Sequence, residues 1–143
     1  MANLLDLATQ MRQLAASLPR VGNEARKRAA HAFLDSVTED SPVDTGRFVS
    51  NWQIGHGVGA EIEPYAEGLA GSTRQANVEA ARAVGHDAIN AIEPGQPLVI
   101  FNPTDYGEYL NSGSSSRPPL LFVEKATLVA SLAIRAAKGL FNG

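Results

Sequence analysis

The chain contains no cysteine. That absence excludes a disulfide framework, a zinc ribbon and a thiol nucleophile, and it fits folding in the cytosol. No apolar run approaches the roughly 20 residues of a membrane span. Residues 1–18 set Asp6, Gln10 and Arg12 among their leucines and so lack the apolar centre of a signal peptide. A basic surplus is missing too. The 12 Lys and Arg residues against 15 Asp and Glu give a formal charge of −3, which argues against nucleic-acid binding. What is present, 44% hydrophobic and 19% charged residues over 143 positions, describes a soluble globular protein of one domain.

The first third is helical by period. Leu4, Leu7, Met11, Leu14, Leu18, Val21, Ala25, Arg28 and Ala32 step by three and four along one face. Pro19 interrupts the stripe, so two helices are predicted, over 4–17 and 20–39. The basic run Arg26-Lys27-Arg28 reads as a solvated face, with a docking patch for an acidic neighbour as the functional alternative.

The stretch Pro42-Val43-Asp44-Thr45-Gly46-Arg47-Phe48 then turns the chain. Pro42 ends the helix, Asp44 and Thr45 can bond back to nearby amides, and Gly46 allows a backbone conformation that side chains resist. A helical turn and a strand are predicted over 48–54, with Trp52 and Ile54 on one side and Asn51 and Gln53 on the other. The glycine-rich stretch 55–71 reads as a loop or irregular hairpin. Ser72 or Thr73 is placed to cap a helix over 74–92, with Val78, Ala81, Ala88 and Ile92 inward. Residues 98–101 form an apolar strand that Asn102-Pro103 ends. Tyr106, Tyr109 and Leu110 share a face of a helical turn that Gly113 closes, and 114–119 is a Ser/Pro loop. A last helix runs from Leu120 with Phe122, Ala126, Val129, Ala133, Ala136 and Leu140 inward. The divisions are a helical region at 1–40, a sheet with an inserted helix at 41–113, and a C-terminal helix at 120–143.

Catalytic chemistry does not assemble from these residues. Gly55-His56-Gly57-Val58-Gly59-Ala60 matches G-x-G-x-x-A after a strand, but Glu61 and Glu63 would repel a phosphate, and Pro64 would stop the helix that the motif needs. His31, His56 and His86 are scattered and lack metal-ligand spacing. Ser114, Ser115 and Ser116 have no nucleophile-elbow setting. Asp44 is explained by the turn, and Asp105 and Glu108 as solvated residues beside the tyrosines. No enzyme, cofactor or metal is expected. Tyr106 and Tyr109 suit either a core lid or an interface anchor.

The order of these motifs resembles a known family. Pro42-Val43-Asp44-Thr45-Gly46-Arg47-Phe48 with Ser50 and Trp52 comes first, followed by Val99-Ile100-Phe101-Asn102. Then come Tyr106-Gly107-x-Tyr109-Leu110-x-x-Gly113, a Ser/Pro loop, and Phe122-Val123 opening the final helix. Together they are similar to the small neck proteins of tailed bacteriophages, called tail-completion, head–tail connector or minor tail proteins, of which the phage lambda minor tail protein Z is a distant representative. That pattern reads PVDTGxLxxSW, an N, YAxxLExG and FVxxAL. Here Phe48 stands for the usual leucine, Gly107 for alanine and Asn111 for glutamate, and Ala126-Thr127-Leu128 sits where AL is expected.

The resemblance implies an α+β fold, with helices packed on a small, mainly antiparallel sheet. It implies a structural virion protein of the neck, forming a ring, six-fold by analogy, at the head-proximal end of the tail. Its partners would be its own copies, the tail terminator or tube, and head-completion or connector proteins. DNA would pass through without specific binding, and assembly would take place in the host cytoplasm. Pro42, Asp44, Thr45, Gly46, Arg47, Trp52, Asn102, Tyr106, Tyr109, Gly113 and Phe122 would form the structural motif and interface. A soluble assembly factor absent from the finished particle is the alternative.

Overall fold

Small side chains on the first described helix let its neighbours come close. Along α1 (Arg20–Asp40), Ala25, Ala29, Ala30, Phe33, Leu34 and Val37 follow at steps of one, three and four, and all are buried. This wide apolar stripe suits a helix covered on two sides. The computed structural model describes residues 20–41, 46–55, 59–68, 72–105, 107–113 and 120–142. In it α1 packs against both α3 (Arg74–Asn90) and α5 (Phe122–Asn142). At Gly85 α3 lies so near α1 that a Cβ would stand 2.5 Å from Leu34 Cδ2.

Between these helices lies the short α2 (Arg47–Ser50), followed by strand β1 (Gln53–Gly55). Strand β2 (Val99–Phe101) pairs with β1 antiparallel, in the register Gln53↔Phe101, Ile54↔Ile100 and Gly55↔Val99. A last short helix, α4 (Gly107–Ser112), precedes α5. The architecture is α+β, with a two-stranded sheet among helices.

The core is centred on four aromatic rings. Trp52 meets Phe33, Phe48 and Phe122 edge to face, with centroids 6.5, 5.6 and 6.1 Å away, and Phe48 meets Phe122 at 5.6 Å. Each such pair adds about 0.5–1.5 kcal/mol beyond its area burial. The indole Nε1 donates to Ser41 Oγ at 2.8 Å, which keeps the one polar atom of Trp52 satisfied inside.

The elements fall close to their predicted places. The helix predicted over 20–39 ends one residue later. The helix predicted over 74–92 stops at Asn90, and the strand begins at Val99, after the buried Leu98. Thr73 occupies the N-cap of α3, but its side chain makes no capping bond. The final helix begins at Phe122, not Leu120. Its inward face is shifted: Val123 and Ala130 are buried, whereas Ala136 is exposed. The predicted helix over 4–17, together with Pro42, Asp44, Thr45 and the 114–119 loop, lies outside the described residues. Among the described residues no helix is long and apolar enough to cross a membrane.

Candidate functional site

The corner is built around Gly46, whose φ of +79° is the left-handed conformation that glycine adopts without strain. Sterics add a second reason for glycine. A Cβ at this position would stand 2.1 Å from Asn77 Nδ2. Gly46 opens α2, and its carbonyl accepts from Ser50 N at 3.1 Å, closing the one helical turn that precedes the buried Trp52.

Buried asparagines fix the surroundings of that turn. Asn51 and Asn77 are both 0% exposed. Asn51 Nδ2 donates to the carbonyls of Arg47 (2.7 Å) and Ile62 (3.0 Å), while its Oδ1 accepts from Ile62 N (2.7 Å). Asn77 does the same four residues further on, donating to the Ala66 carbonyl (3.0 Å) and accepting from Ala66 N (2.8 Å) and Ser50 Oγ (3.0 Å). Segment 59–68 has neither helix nor strand, and these two carboxamides replace the ladder it lacks. A third, Asn102, donates to the Phe48 carbonyl at 2.9 Å and accepts from Thr104 N, tying the end of β2 to α2.

Charge lies outside this amide layer. Arg47 grips Glu61 with two nitrogens, its Nη2 lying 2.9 Å from Oε2, and approaches Asp105 at 3.6 Å. The hydrogen bond from Arg47, helped by its charge, holds the Glu61 carboxyl below the usual carboxylate range against an opposing desolvation. Glu61, Glu63, Pro64 and Glu67 line a cleft of about 510 Å³ beside Arg47. Among the described residues no three His, Asp or Glu side chains are placed to hold a metal.

The entry to α5 is fixed in the same manner. Asn111 Oδ1 accepts from Val123 N at 2.9 Å, and its Nδ2 donates to the Glu124 carboxylate at 3.0 Å. Gly113, with φ +82°, ends α4 as predicted. Leu121 has φ +54°, uncommon for a side-chain-bearing residue, and its N–H donates to the Asn111 carbonyl at 3.0 Å. From there the outer side of α5 presents apolar groups to solvent, Leu128 at 68% and Leu132 at 63% exposure, with Leu121 exposed just before the helix. The spacing of four puts Leu128 and Leu132 on one face.

The structure thus brings Gly46, Arg47, Trp52, Asn102 and Phe122 into one region around the aromatic core. Tyr106 and the side chain of Tyr109 lie outside the described residues. Two readings need correction. Arg26 is not part of a solvated face: it is buried, and donates to Asn23 Oδ1 (2.8 Å) and to the carbonyls of Glu93 (2.8 Å) and Gln96 (2.5 Å). These carbonyls belong to the turn that follows α3, and a charged donor makes strong hydrogen bonds to them. The histidines are not all scattered either, because His31 and His86 touch. Sequence reasoning also missed Asn51, Asn77 and Asn111. Their one signal is asparagine beside a predicted turn or inside a helix, where its propensity is poor.

No protein-family model matches the chain, and no curated protein or solved structure matches it.

Proposed function

We propose that the chain is a structural virion protein of a tailed-bacteriophage neck. Copies form a ring at the head-proximal end of the tail, completing the tail and joining it to the head. The observation that carries this reading is the contact between Phe48 and Gly107. These are two of the positions at which the chain departs from the neck-protein pattern, with phenylalanine for leucine and glycine for alanine. A Cβ at 107 would stand 2.9 Å from Phe48 Cε1. The larger ring at one position therefore takes the room that the methyl at the other would need. Paired departures of this kind support a shared architecture and argue against chance similarity of motifs.

The exposed leucines of α5 support self-association, since apolar side chains grouped on one face favour burial against a partner. Contacts between different faces of identical subunits close into a ring when the rotation allows it. The partners would be copies of the chain, the tail terminator or tube, and head-completion or connector proteins. The net charge of −3 suits a conduit through which DNA slides without holding its phosphates.

The test is light scattering with negative-stain imaging of the purified protein, and mass spectrometry of purified virions. Six-fold rings and presence in the particle are expected. A monomer at every concentration that is also absent from virions would overturn the reading. Absence from virions with association intact would favour an assembly factor.

A further inference from the structure

Helix α5 has two apolar sides, and the fold of the subunit uses one. Phe122, Val123, Ala126 and Ala130 are buried on the side that faces α1. Leu128 and Leu132 each follow a buried alanine by two residues, about 200° around a helix, so they point away from α1. Ala136, four residues further on, is exposed as well. Apolar side chains at steps of four thus form an open row down the far side of α5.

We propose that residues 4–18 of a neighbouring copy lie along this row and clasp one subunit to the next. The contact rests on the proposed ring and names the segment that closes it. Leu4, Leu7, Met11, Leu14 and Leu18 make a stripe at steps of three and four. A helix of that length is marginal in water on its own, so such a stripe gains order by being covered. The dimensions agree: a helix over 4–17 is about 21 Å long, and the row from Leu128 to Ala136 about 12 Å.

Geometry selects a neighbour over the same chain. Packed helices lie about 8–10 Å apart, which puts a helix on the far side of α5 about 16–20 Å from the axis of α1. Subtracting the two helix radii leaves about 11–15 Å to span. Arg20 opens α1, and from Ser17 to Arg20 the chain has only three Cα steps, at most about 11 Å, on a path that must go round α5. A segment tied to Arg20 of the same chain falls short, whereas one from the next copy has no such tie. The two surfaces are also unlike, a segment on one copy and α5 on the next, which is the kind of contact that closes a ring.

The experiment combines light scattering with thiol cross-linking, which the absence of native cysteine makes specific. Leu7→Ser with Met11→Ser should raise the concentration needed for association by about a hundredfold, because two apolar side chains leave the contact, and should keep the thermal melt of the monomer. For cross-linking, Met11→Cys chains are mixed with Leu132→Cys chains and treated with a short bifunctional maleimide. A covalent dimer holding one chain of each kind is expected, and Met11→Cys with Leu132→Cys in one chain should give a ladder of multimers. Cross-links confined within single chains would overturn the proposal by placing the segment on its own α5. Association that persists without any cross-link, undiminished by Leu7→Ser with Met11→Ser, would overturn it and leave the neck reading intact. A native chain that stays monomeric and is absent from virions would overturn both.

Discussion

The corner and the outer face of α5 reverse the ordinary placement of side chains in opposite directions. At the corner asparagines are buried, and each spends its donors and acceptor on named backbone groups. On α5 leucines stand in water. A buried carboxamide adds little net stability, but leaving its partners unsatisfied costs about 1–3 kcal/mol each, so it selects one geometry over its neighbours. An exposed leucine contributes nothing to the monomer that holds it. One region fixes the shape of the subunit, and the other, in the proposed ring, fixes what the subunit meets.

The sharpest way to break the corner is Gly46→Val. A left-handed backbone costs a side-chain-bearing residue about 1–2 kcal/mol, and the overlap with Asn77 adds roughly 1–3 kcal/mol of overpacking. Chemical denaturation should show a loss of about 3 kcal/mol. A loss below about 1 kcal/mol would mean that neither the conformation nor the Asn77 contact is required. Next comes the pair Phe48 and Gly107. Gly107→Ala alone should destabilise, and the same change in a Phe48→Leu background should be tolerated. The coupling expected in a double-mutant cycle is about 1 kcal/mol or more, and strict additivity would remove the main support for the proposed family.

On the α5 side the expected effect on folding is small and that on assembly large. Leu128→Ser with Leu132→Ser should leave unfolding within about 0.5 kcal/mol of native while abolishing association in light scattering. Unchanged association would move the interface to another face. The smallest effect belongs to Arg47→Ala. The folded-state affinity of Glu61 for a proton is depressed by Arg47, so the pair stabilises above the ordinary carboxylate range and loses that contribution as pH falls through the depressed value. Because the pair is half in solvent, the variant should shift the Glu61 carboxyl titration upward, seen by NMR, with little change in melting.

Periodicity and turn chemistry made most of the helices readable, because α1, α3 and α5 each repeat at three and four and breaks fall at Glu93-Pro94-Gly95 and Gly113. The central strand pair was readable from an apolar run ending at Asn102. Segment 59–68 was not, because its backbone partners are the side chains of Asn51 and Asn77, one of them on a helix that has not yet begun when the segment is read. Arg26 was misjudged for a related reason: a charge run on a helix is ordinarily solvated, and the carbonyls that draw Arg26 inward lie 67 and 70 residues away. His31 and His86, 55 residues apart, meet only once α1 and α3 are docked.

That docking has a fulcrum. At Gly85 the backbone of α3 rests against Leu34, and every polar contact between the two helices lies to one side of it or the other: Arg82 toward one end, His86 and Asn90 toward the other. A methyl added at 85 would act as a shim beneath a lever, lifting α3 off α1. It would slacken the Arg82 and His86 contacts together, although neither residue would have been changed.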